Sequence, residues 1–197
     1  MKKILALMGS PRKGKNTDKL LDYLLEALKG KEYAINKIYI RDKKINPCMG
    51  CEYCGEIGVC ISNDDMDQIY SEIDNSDIII LAAPIYFNSV NGMTKNMIDR
   101  CQKYWSLKYS LNEEYKRGQN RIGIFLSTGG APFSLDQFTG ARHVMEYFFK
   151  AINAEYKGNY FVSNTDIEPM ENRLDVKDEI QEIGKNILKI KNFYLQR

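Results

Sequence analysis

The sequence predicts an α/β fold in which helices cover both faces of a five-stranded parallel sheet. Strand-length apolar runs alternate along the chain with segments whose apolar residues recur at helical spacing. The clearest predicted strand, 77–83, is apolar throughout after its aspartate. It lacks the alternation of polar and apolar residues that is typical of a sheet with one solvent-exposed face. Such a strand is buried on both sides, so we expect a three-layer sandwich.

Five predicted strands and five predicted helices follow one another along the chain. The first helix carries leucines at helical spacing and ends near Gly30. Segment 105–120 is polar and has no sheet-like period, so we interpret it as an insertion or an extension of the preceding helix. The strands are predicted at 3–8, 33–40, 77–83, 121–128 and 156–163. The helices are predicted at 17–29, about 66–73, 93–104, 136–154 and 176–194.

A chain of 197 residues has the length of one domain. No internal repeat, low-complexity tract or linker divides it, so we expect a single domain over 1–197 with a cysteine-rich loop at 46–62. Because crossovers between parallel strands are right-handed, few topologies are open to it.

Composition limits the classes of partner. The net charge of +2, from 28 basic and 26 acidic residues, offers no strong field for nucleic acid or for a membrane surface. The longest apolar run, 78–84, has the length of a buried strand and is too short to cross a bilayer. Clustered cysteines suit a reducing compartment, and we expect a cytoplasmic protein.

The loop 9–17 joins the first strand to the first helix and is rich in hydrogen-bond donors and positive charge. Because N–H groups and the helix dipole point outward from a helix start, this loop is expected to bind a phosphate. Its spacing nearly matches the triphosphate loop G-x-x-x-x-G-K-[ST], but Asn16 occupies the position of the magnesium-binding hydroxyl. Pro11 stands where a dinucleotide fingerprint requires glycine. The monophosphate of flavin mononucleotide (FMN) remains, with an ordinary polar turn as the alternative.

Two further predicted strands end in residues suited to a flat ligand. Segment 84–88 offers planar side chains after the third strand, and segment 127–130 ends in two glycines after the fourth. In parallel α/β sheets, ligands bind beyond the carboxyl ends of the strands. With the loop 9–17, these segments predict a cradle for the isoalloxazine ring of FMN.

Four cysteines follow the compact pattern C-x2-C-x2-C-x5-C, which is typical of [4Fe–4S] ligation. A structural zinc, a thiol–disulfide site and a loop without metal are the alternatives. The pattern lacks the second C-x2-C knuckle of most four-cysteine zinc sites, and its overlapping pairs differ from a single poised pair of thiols. The fifth cysteine, Cys101, is expected in the core. The four clustered residues are Cys48, Cys51, Cys54 and Cys60.

These motifs carry a family likeness. Segments 9–17, 48–66, 83–87 and 127–130 together resemble the iron–sulfur flavoproteins and the wider NAD(P)H-dependent FMN reductases of flavodoxin-like fold. The resemblance covers about residues 1–165. It implies the strand order 2-1-3-4-5, FMN at the ends of strands one, three and four, and homodimers or homotetramers whose interfaces cover the flavin.

The resemblance also implies roles for individual residues. The phosphate would be held by Ser10, Arg12, Asn16 and Thr17. The ring would be flanked by Pro84, Ile85, Tyr86, Phe87, Asn88, Thr128, Gly129 and Gly130. The four clustered cysteines match the cluster ligands in spacing, whereas segments 105–120 and 164–175 match no motif.

The function expected is that of an FMN-dependent oxidoreductase. It would pass electrons from NAD(P)H or a reduced ferredoxin-type donor to a small-molecule or protein acceptor, with a [4Fe–4S] cluster as a relay. No catalytic side chain is needed because the flavin supplies the chemistry, and the one histidine, His143, lies in an aromatic-rich helix. The alternatives are a flavodoxin-like electron carrier without pyridine-nucleotide activity and a small P-loop phosphotransferase. For the latter, the third strand lacks a terminal acidic residue to hold magnesium.

Overall fold

The computed structural model describes residues 1–30, 32–116 and 118–197. Lys31 and Arg117 lie outside them, the latter within the predicted 105–120 insertion. The strands are β1 Lys2–Met8, β2 Tyr33–Tyr39, β3 Ile78–Tyr86, β4 Ser89–Val90, β5 Ile122–Thr128, β6 Glu155–Val162 and β7 Phe193–Gln196. The helices are α1 Asn16–Glu26, α2 Tyr53–Ile57, α3 Met66–Asn75, α4 Gly92–Arg100, α5 Gln102–Tyr109, α6 Thr139–Ala151 and α7 Leu174–Lys185.

The parallel sheet has the strand order β2-β1-β3-β5-β6-β7, and β4 pairs antiparallel with β3. The prediction of a parallel α/β sheet is therefore confirmed. The prediction of five strands in the order 2-1-3-4-5 is wrong, because the sheet has seven strands. The five predicted strands keep their relative order, while β4 is too short to leave a period in the sequence and β7 was assigned to a helix.

Helices cover both faces of the sheet, and successive residues of β1 serve the two sides. Leu5 and Leu7 pack with α3, α4, α5 and α6. Ile4, Ala6 and Met8 pack with α1 and α7. The five side chains from Ile4 to Met8 are all buried, which explains why this part of the strand shows no polar alternation.

The predicted closing helix 176–194 ends early. Helix α7 stops at Lys185, and the chain then returns to the sheet as β7, parallel to β6. A Cβ atom on Gly158 of β6 would lie 1.9 Å from the carbonyl oxygen of Phe193, so only glycine admits this close approach. The continued isoleucine spacing after Lys185 masked the change from helix to strand.

The predicted helix 93–104 is two helices that meet at Cys101. The hydroxyl of Tyr70 donates a hydrogen bond of 2.7 Å to the carbonyl of Arg100 at this junction. Helix α5 continues to Tyr109, so the first part of segment 105–120 is helical. Cys101 is buried in the core, as expected. Among the described residues, no helix is both long enough and apolar enough to cross a membrane.

Candidate cofactor site and cysteine loop

The loop between β1 and α1 is anchored at Gly9 by three residues of two neighbouring elements, β3 and α4. The Gly9 N–H donates to the carbonyl of Ala82 in β3 at 2.7 Å. The Gly9 carbonyl accepts hydrogen bonds from Asn91 Nδ2 at 2.8 Å and from Thr94 Oγ1 at 3.2 Å. A Cβ atom at Gly9 would lie 2.1 Å from Thr94 Oγ1, so a larger residue would displace the loop from α4.

A buried carboxylate lies beneath this loop. Asp18, in the first turn of α1, accepts the Gly14 N–H at 2.7 Å, and its other oxygen lies 2.6 Å from Lys37 Nζ. Although burial lowers the pKa of Lys37, hydrogen bonds with Asp18, Asp22 and Tyr39 outweigh it and raise that pKa above its ordinary value. Lys37 thus neutralises a negative charge that would otherwise oppose an anion at the loop. The sequence analysis missed this role of Asp18, which depends on a cation from the neighbouring strand.

The outer face of the loop presents donors without partners. Helix α1 has no side-chain cap at its N-terminus. Arg12 is exposed, and its guanidinium pairs with no described residue. The buried Ser10 hydroxyl accepts the Arg12 N–H at 3.1 Å and so shapes the turn. Uncapped N–H groups and an unpaired guanidinium at one helix start form a site for an anion.

Side chains at the ends of β3 and β5 meet this loop. Thr17 and Thr128 share a hydrogen bond of 2.7 Å between their hydroxyls, and both residues are buried. Ser127 Oγ donates to the carbonyl of Ala83 at 2.7 Å. The carboxyl ends of β1, β3 and β5 therefore converge, as the three predicted segments require.

The segment after β3 forms a tight hairpin with β4. Tyr86 pairs with Ser89, and the two residues between them, Phe87 and Asn88, have φ angles of 51° and 56°. Such a two-residue turn favours asparagine or glycine, and phenylalanine in this conformation is strained. Phe87 is fully exposed, Tyr86 is 45% exposed, and Ile85 is half-buried above the buried Pro84. The turn thus presents aromatic side chains to solvent beside the anion site.

The segment after β6 also borders this site, which the sequence analysis did not predict. Asn16 Nδ2 donates to the carbonyl of Thr165 at 3.0 Å, and Asn16 Oδ1 accepts the Met170 N–H at 3.1 Å. Thr165 Oγ1 donates to the carbonyl of Gly129 at 3.1 Å, next to the half-buried Gly130. The side chain of Asn16 therefore braces segment 164–170. The position of this segment at a fourth strand end was the only signal available in the sequence.

The four clustered cysteines line one cavity of about 980 Å³. Cys48 and Cys51 are exposed, whereas Cys54 and Cys60 are half-buried. The described residues contain no group of three His, Cys, Asp or Glu side chains placed to hold a metal ion. The four thiols thus share one cavity, and no formed metal site is present among the described residues.

A buried ion pair holds the cysteine loop against α4. Arg100 Nη1 lies 2.6 Å from Asp64 Oδ2, and both side chains are at least 95% buried. Burial opposes ionisation of Asp64, but Arg100 and the N–H groups of Asn46 and Met66 outweigh it and hold the pKa of the carboxyl below its usual range. Burial likewise opposes ionisation of Cys60, but the Ser62 N–H, Arg100 and the Tyr70 hydroxyl lower its thiol pKa.

Comparison with known proteins identifies the family. The model of the NADPH-dependent FMN reductase family matches residues 2–166. The chain belongs to this family. An iron–sulfur flavoprotein of Archaeoglobus fulgidus is 40% identical over 102 residues, which are 52% of this chain and 46% of the relative. An iron–sulfur flavoprotein of Methanosarcina thermophila is 33% identical over 129 residues, which are 66% of this chain and 64% of the relative.

This FMN reductase family member thus spans less than two thirds of the length of either relative. Solved structures support the fold. An FMN-dependent NADH-azoreductase from Bacillus anthracis, in complex with FMN, has a TM-score of 0.70 at 13% identity, over 94% of this chain and 99% of that one. An NAD(P)H:quinone oxidoreductase from Methanothermobacter marburgensis has a TM-score of 0.68 at 13% identity, over 94% and 95% of the two chains. At such identities these likenesses establish the flavodoxin-like fold alone.

The residues of this family member fit the two groups that the family likeness implies. The uncapped start of α1 and the unpaired Arg12 suit the phosphate of FMN. Four thiols around one cavity are the donor set of a cluster, whose cube separates its ligands. Beside them, Arg100 Nε is buried and has no hydrogen-bond partner among the described residues.

Proposed function

We propose that this chain is an FMN-dependent NAD(P)H oxidoreductase. The observation that carries the proposal is that, in an FMN reductase family member, the uncapped start of α1 meets the end of β5 through the Thr17–Thr128 hydrogen bond. The same loop meets the end of β3 through the hydrogen bond from the Gly9 N–H to the Ala82 carbonyl. FMN, when bound, supplies hydride and single-electron chemistry. The protein's task is to bind the flavin, orient it and restrict access to it.

Arg12 and the free N–H groups of loop 9–17 would hold the phosphate, with Ser10 and Thr17 shaping the site around it. The ring would lie between the 84–88 hairpin and segment 128–130, which enclose the same sheet edge. Asn16 is proposed to contribute through its brace on segment 164–170. No side chain is assigned a proton-transfer step.

A pyridine nucleotide is the proposed electron donor, because the family is described as NADPH-dependent and the two similar structures are named for NADH and NAD(P)H. A reduced ferredoxin-type protein is the alternative donor. The acceptor is proposed to be a small molecule or a protein that reaches the exposed side of the flavin.

We further propose that Cys48, Cys51, Cys54 and Cys60 hold a [4Fe–4S] cluster. Their shared cavity, their spacing and the names of the curated relatives support this. Such a cluster supplies one-electron transfer.

A homodimer or homotetramer is also proposed. Large apolar side chains are exposed on the loops that surround the flavin edge of the sheet, where a second copy would cover them. Their exposed fractions are 105% for Phe87, 60% for Phe133, 83% for Leu135 and 77% for Ile167. Light scattering at several protein concentrations tests this, and a monomer at all of them would contradict it.

The central experiment is an anaerobic preparation of the protein with FMN titration, iron analysis and rapid mixing with NADH and with NADPH. We expect saturable FMN binding and bleaching of the flavin absorbance by at least one nucleotide. Absence of FMN binding would overturn the proposal. FMN binding without bleaching by either nucleotide would instead indicate an electron carrier or a ferredoxin-type donor. Stabilisation by ATP alone would favour the phosphotransferase.

A further inference from the structure

Two of the four clustered cysteines lie against side chains to which the proposed function gives no role. We call Cys54 and Cys60 the inner cysteines because they are half-buried, while Cys48 and Cys51 are exposed. The inner cysteines line the same cavity as residues of helices α4 and α5. Their surroundings therefore differ from those of the exposed pair.

Ser106 of α5 faces Cys54. Its Oγ lies 3.5 Å from Cys54 Sγ, within hydrogen-bond distance for sulfur, and the residue is only 4% exposed. A serine hydroxyl has one proton to donate. A ligating cysteine is a thiolate and can only accept. With a cluster bound, the direction of this hydrogen bond is therefore from Ser106 to Cys54.

Arg100 of α4 lines the same cavity as Cys60. The Nη atoms of its guanidinium donate to Asp64 Oδ2 and to the carbonyls of Asn46 and Ser62, at 2.6, 3.0 and 3.3 Å, so the plane of the group is set. Its Nε–H is buried in the cavity wall and has no partner among the described residues. A buried donor without a partner calls for an explanation, and an acceptor bound in this cavity would supply one.

We propose that Arg100 and Ser106 are positioning residues of the cluster site, which donate hydrogen bonds from the guanidinium and the hydroxyl to the sulfurs of Cys60 and Cys54. This inference rests on the cluster part of the proposed function. Donors to ligand sulfurs stabilise the additional negative charge of the reduced cluster, so they raise its reduction potential. Among the described residues, no side chain donates to Cys48 or Cys51, and the outer edge of the cluster would face solvent or a partner.

The test uses the full chain loaded with FMN and reconstituted anaerobically with iron and sulfide. Ser106→Ala removes one donor, and Arg100→Lys keeps the charge but removes the Nε–H. Ser110→Ala is the matched control, because Ser110 lines the same cavity one helical turn later without contacting a cysteine. Iron and FMN per chain are measured first, and the cluster potential is then measured by a reductive titration followed by electron paramagnetic resonance.

We expect full iron and FMN content with a more negative cluster potential in Ser106→Ala and Arg100→Lys, and an unchanged potential in Ser110→Ala. Loaded variants with the wild-type potential would overturn this inference and leave the proposed function intact. Wild-type protein that binds FMN but no iron would overturn both this inference and the cluster proposal. If Arg100→Lys does not fold, judged by circular dichroism, the Ser106→Ala potential decides.

Discussion

Single residues beside the proposed flavin site and beside the cysteine loop have a strained backbone, a buried charge or an unpaired donor. Phe87 has a left-handed backbone and no buried surface to offset it. Arg100 and Asp64 carry charges in the interior, where each depends on the other. Arg12 keeps its guanidinium unpaired in the part of the chain that the structure describes. Each of these states makes sense if a ligand or partner uses it, and each can be tested by substitution.

Replacement of Arg12 by alanine is expected to weaken FMN binding. A charge-assisted hydrogen bond to the phosphate contributes about 1.5–3 kcal/mol, which corresponds to roughly a 10- to 150-fold rise in Kd. Fluorescence titration of FMN measures it. Lys189→Ala, which removes an exposed cation far along the chain, is the control and should leave Kd unchanged. Equal affinity of wild type and Arg12→Ala would place the phosphate elsewhere.

Replacement of Phe87 by asparagine is expected to stabilise the FMN-free protein by about 1 kcal/mol, because asparagine tolerates the left-handed conformation and phenylalanine does not. The same change should weaken FMN binding if the ring contacts this side chain. Urea unfolding and FMN titration give the two values. Phe87→Leu retains the strain and serves as the control, so an equal gain in stability from leucine would contradict the explanation.

The buried ion pair of Arg100 and Asp64 predicts that the free energy of unfolding depends on pH. Asp64→Asn leaves Arg100 without a counter-charge and should lower the free energy of unfolding by about 3 kcal/mol at pH 7. Because the folded pKa of Asp64 lies below the unfolded value near 3.9, the unfolded state binds more protons as pH falls through this window. The stabilising contribution is therefore complete above about pH 4 and is lost below it.

Urea unfolding at pH 7, 4 and 3 measures this difference between wild type and Asp64→Asn. The difference in the free energy of unfolding should become smaller at pH 3, since protonated Asp64 resembles asparagine. Asp99→Asn breaks an exposed pair with Lys95, both about 44% exposed, and should cost at most about 0.5 kcal/mol. A free-energy difference that stays constant across these pH values would contradict the lowered pKa of Asp64.

At the level of elements, helix α4 connects the two candidate cofactor sites. Asn91, its N-cap, and Thr94 in its first turn hold the Gly9 carbonyl of the phosphate loop, and Arg100 at its other end holds the cysteine loop. At 1.5 Å per residue, nine residues separate these ends by about 14 Å. The position of one site is thus tied to that of the other through a single rigid helix.

Helix α1 is tied to segment 164–170 by Asn16. Asn16→Ala leaves the Thr165 carbonyl and the Met170 N–H without their partner, and we expect a loss of about 1–3 kcal/mol in stability. Hydrogen exchange in segment 164–170 should also become faster. Asn75→Ala removes only an exposed bond within one helix and is the control. Weaker FMN binding with unchanged exchange would instead support Asn16 as a phosphate ligand.

For the whole molecule, β7 closes an edge of the sheet. It pairs with β6, and its neighbour Arg197 accepts the Ser163 N–H at 2.7 Å and forms an ion pair with Glu179 at 2.8 Å. Without β7, β6 would expose a row of unpaired backbone groups. Strand β7 therefore protects the edge of the sheet next to β6, the strand that leads into segment 164–170 of the proposed flavin site.

Deletion of residues 193–197 is expected to lower the urea midpoint and to promote aggregation. Arg197→Ala removes the exposed ion pair but keeps the strand, so it should cost no more than about 1 kcal/mol. Unfolding curves and light scattering compare the two variants with wild type. If the deletion lowers stability no more than Arg197→Ala does, strand β7 contributes little to the stability of the fold.

Local residue patterns are enough to predict the alternation of strands and helices and the three strand-end loops. Both follow from residues that are close together in the chain. Segment 78–83 predicts a buried strand because its own residues are apolar. Loop 9–17 predicts an anion site because its donors are adjacent in the chain. The family motifs lie in the same short segments. Such features need no knowledge of distant residues.

The remaining features depend on contacts that form only in the folded molecule. The brace from Asn16 to Met170, the neutralisation of Asp18 by Lys37, the Arg100–Asp64 pair and strand β7 each join residues far apart in the chain. A hydrogen bond or ion pair between such residues leaves no periodic trace in the sequence, since either partner alone resembles an ordinary polar residue. Their energy depends on burial, and burial is a property of the folded molecule.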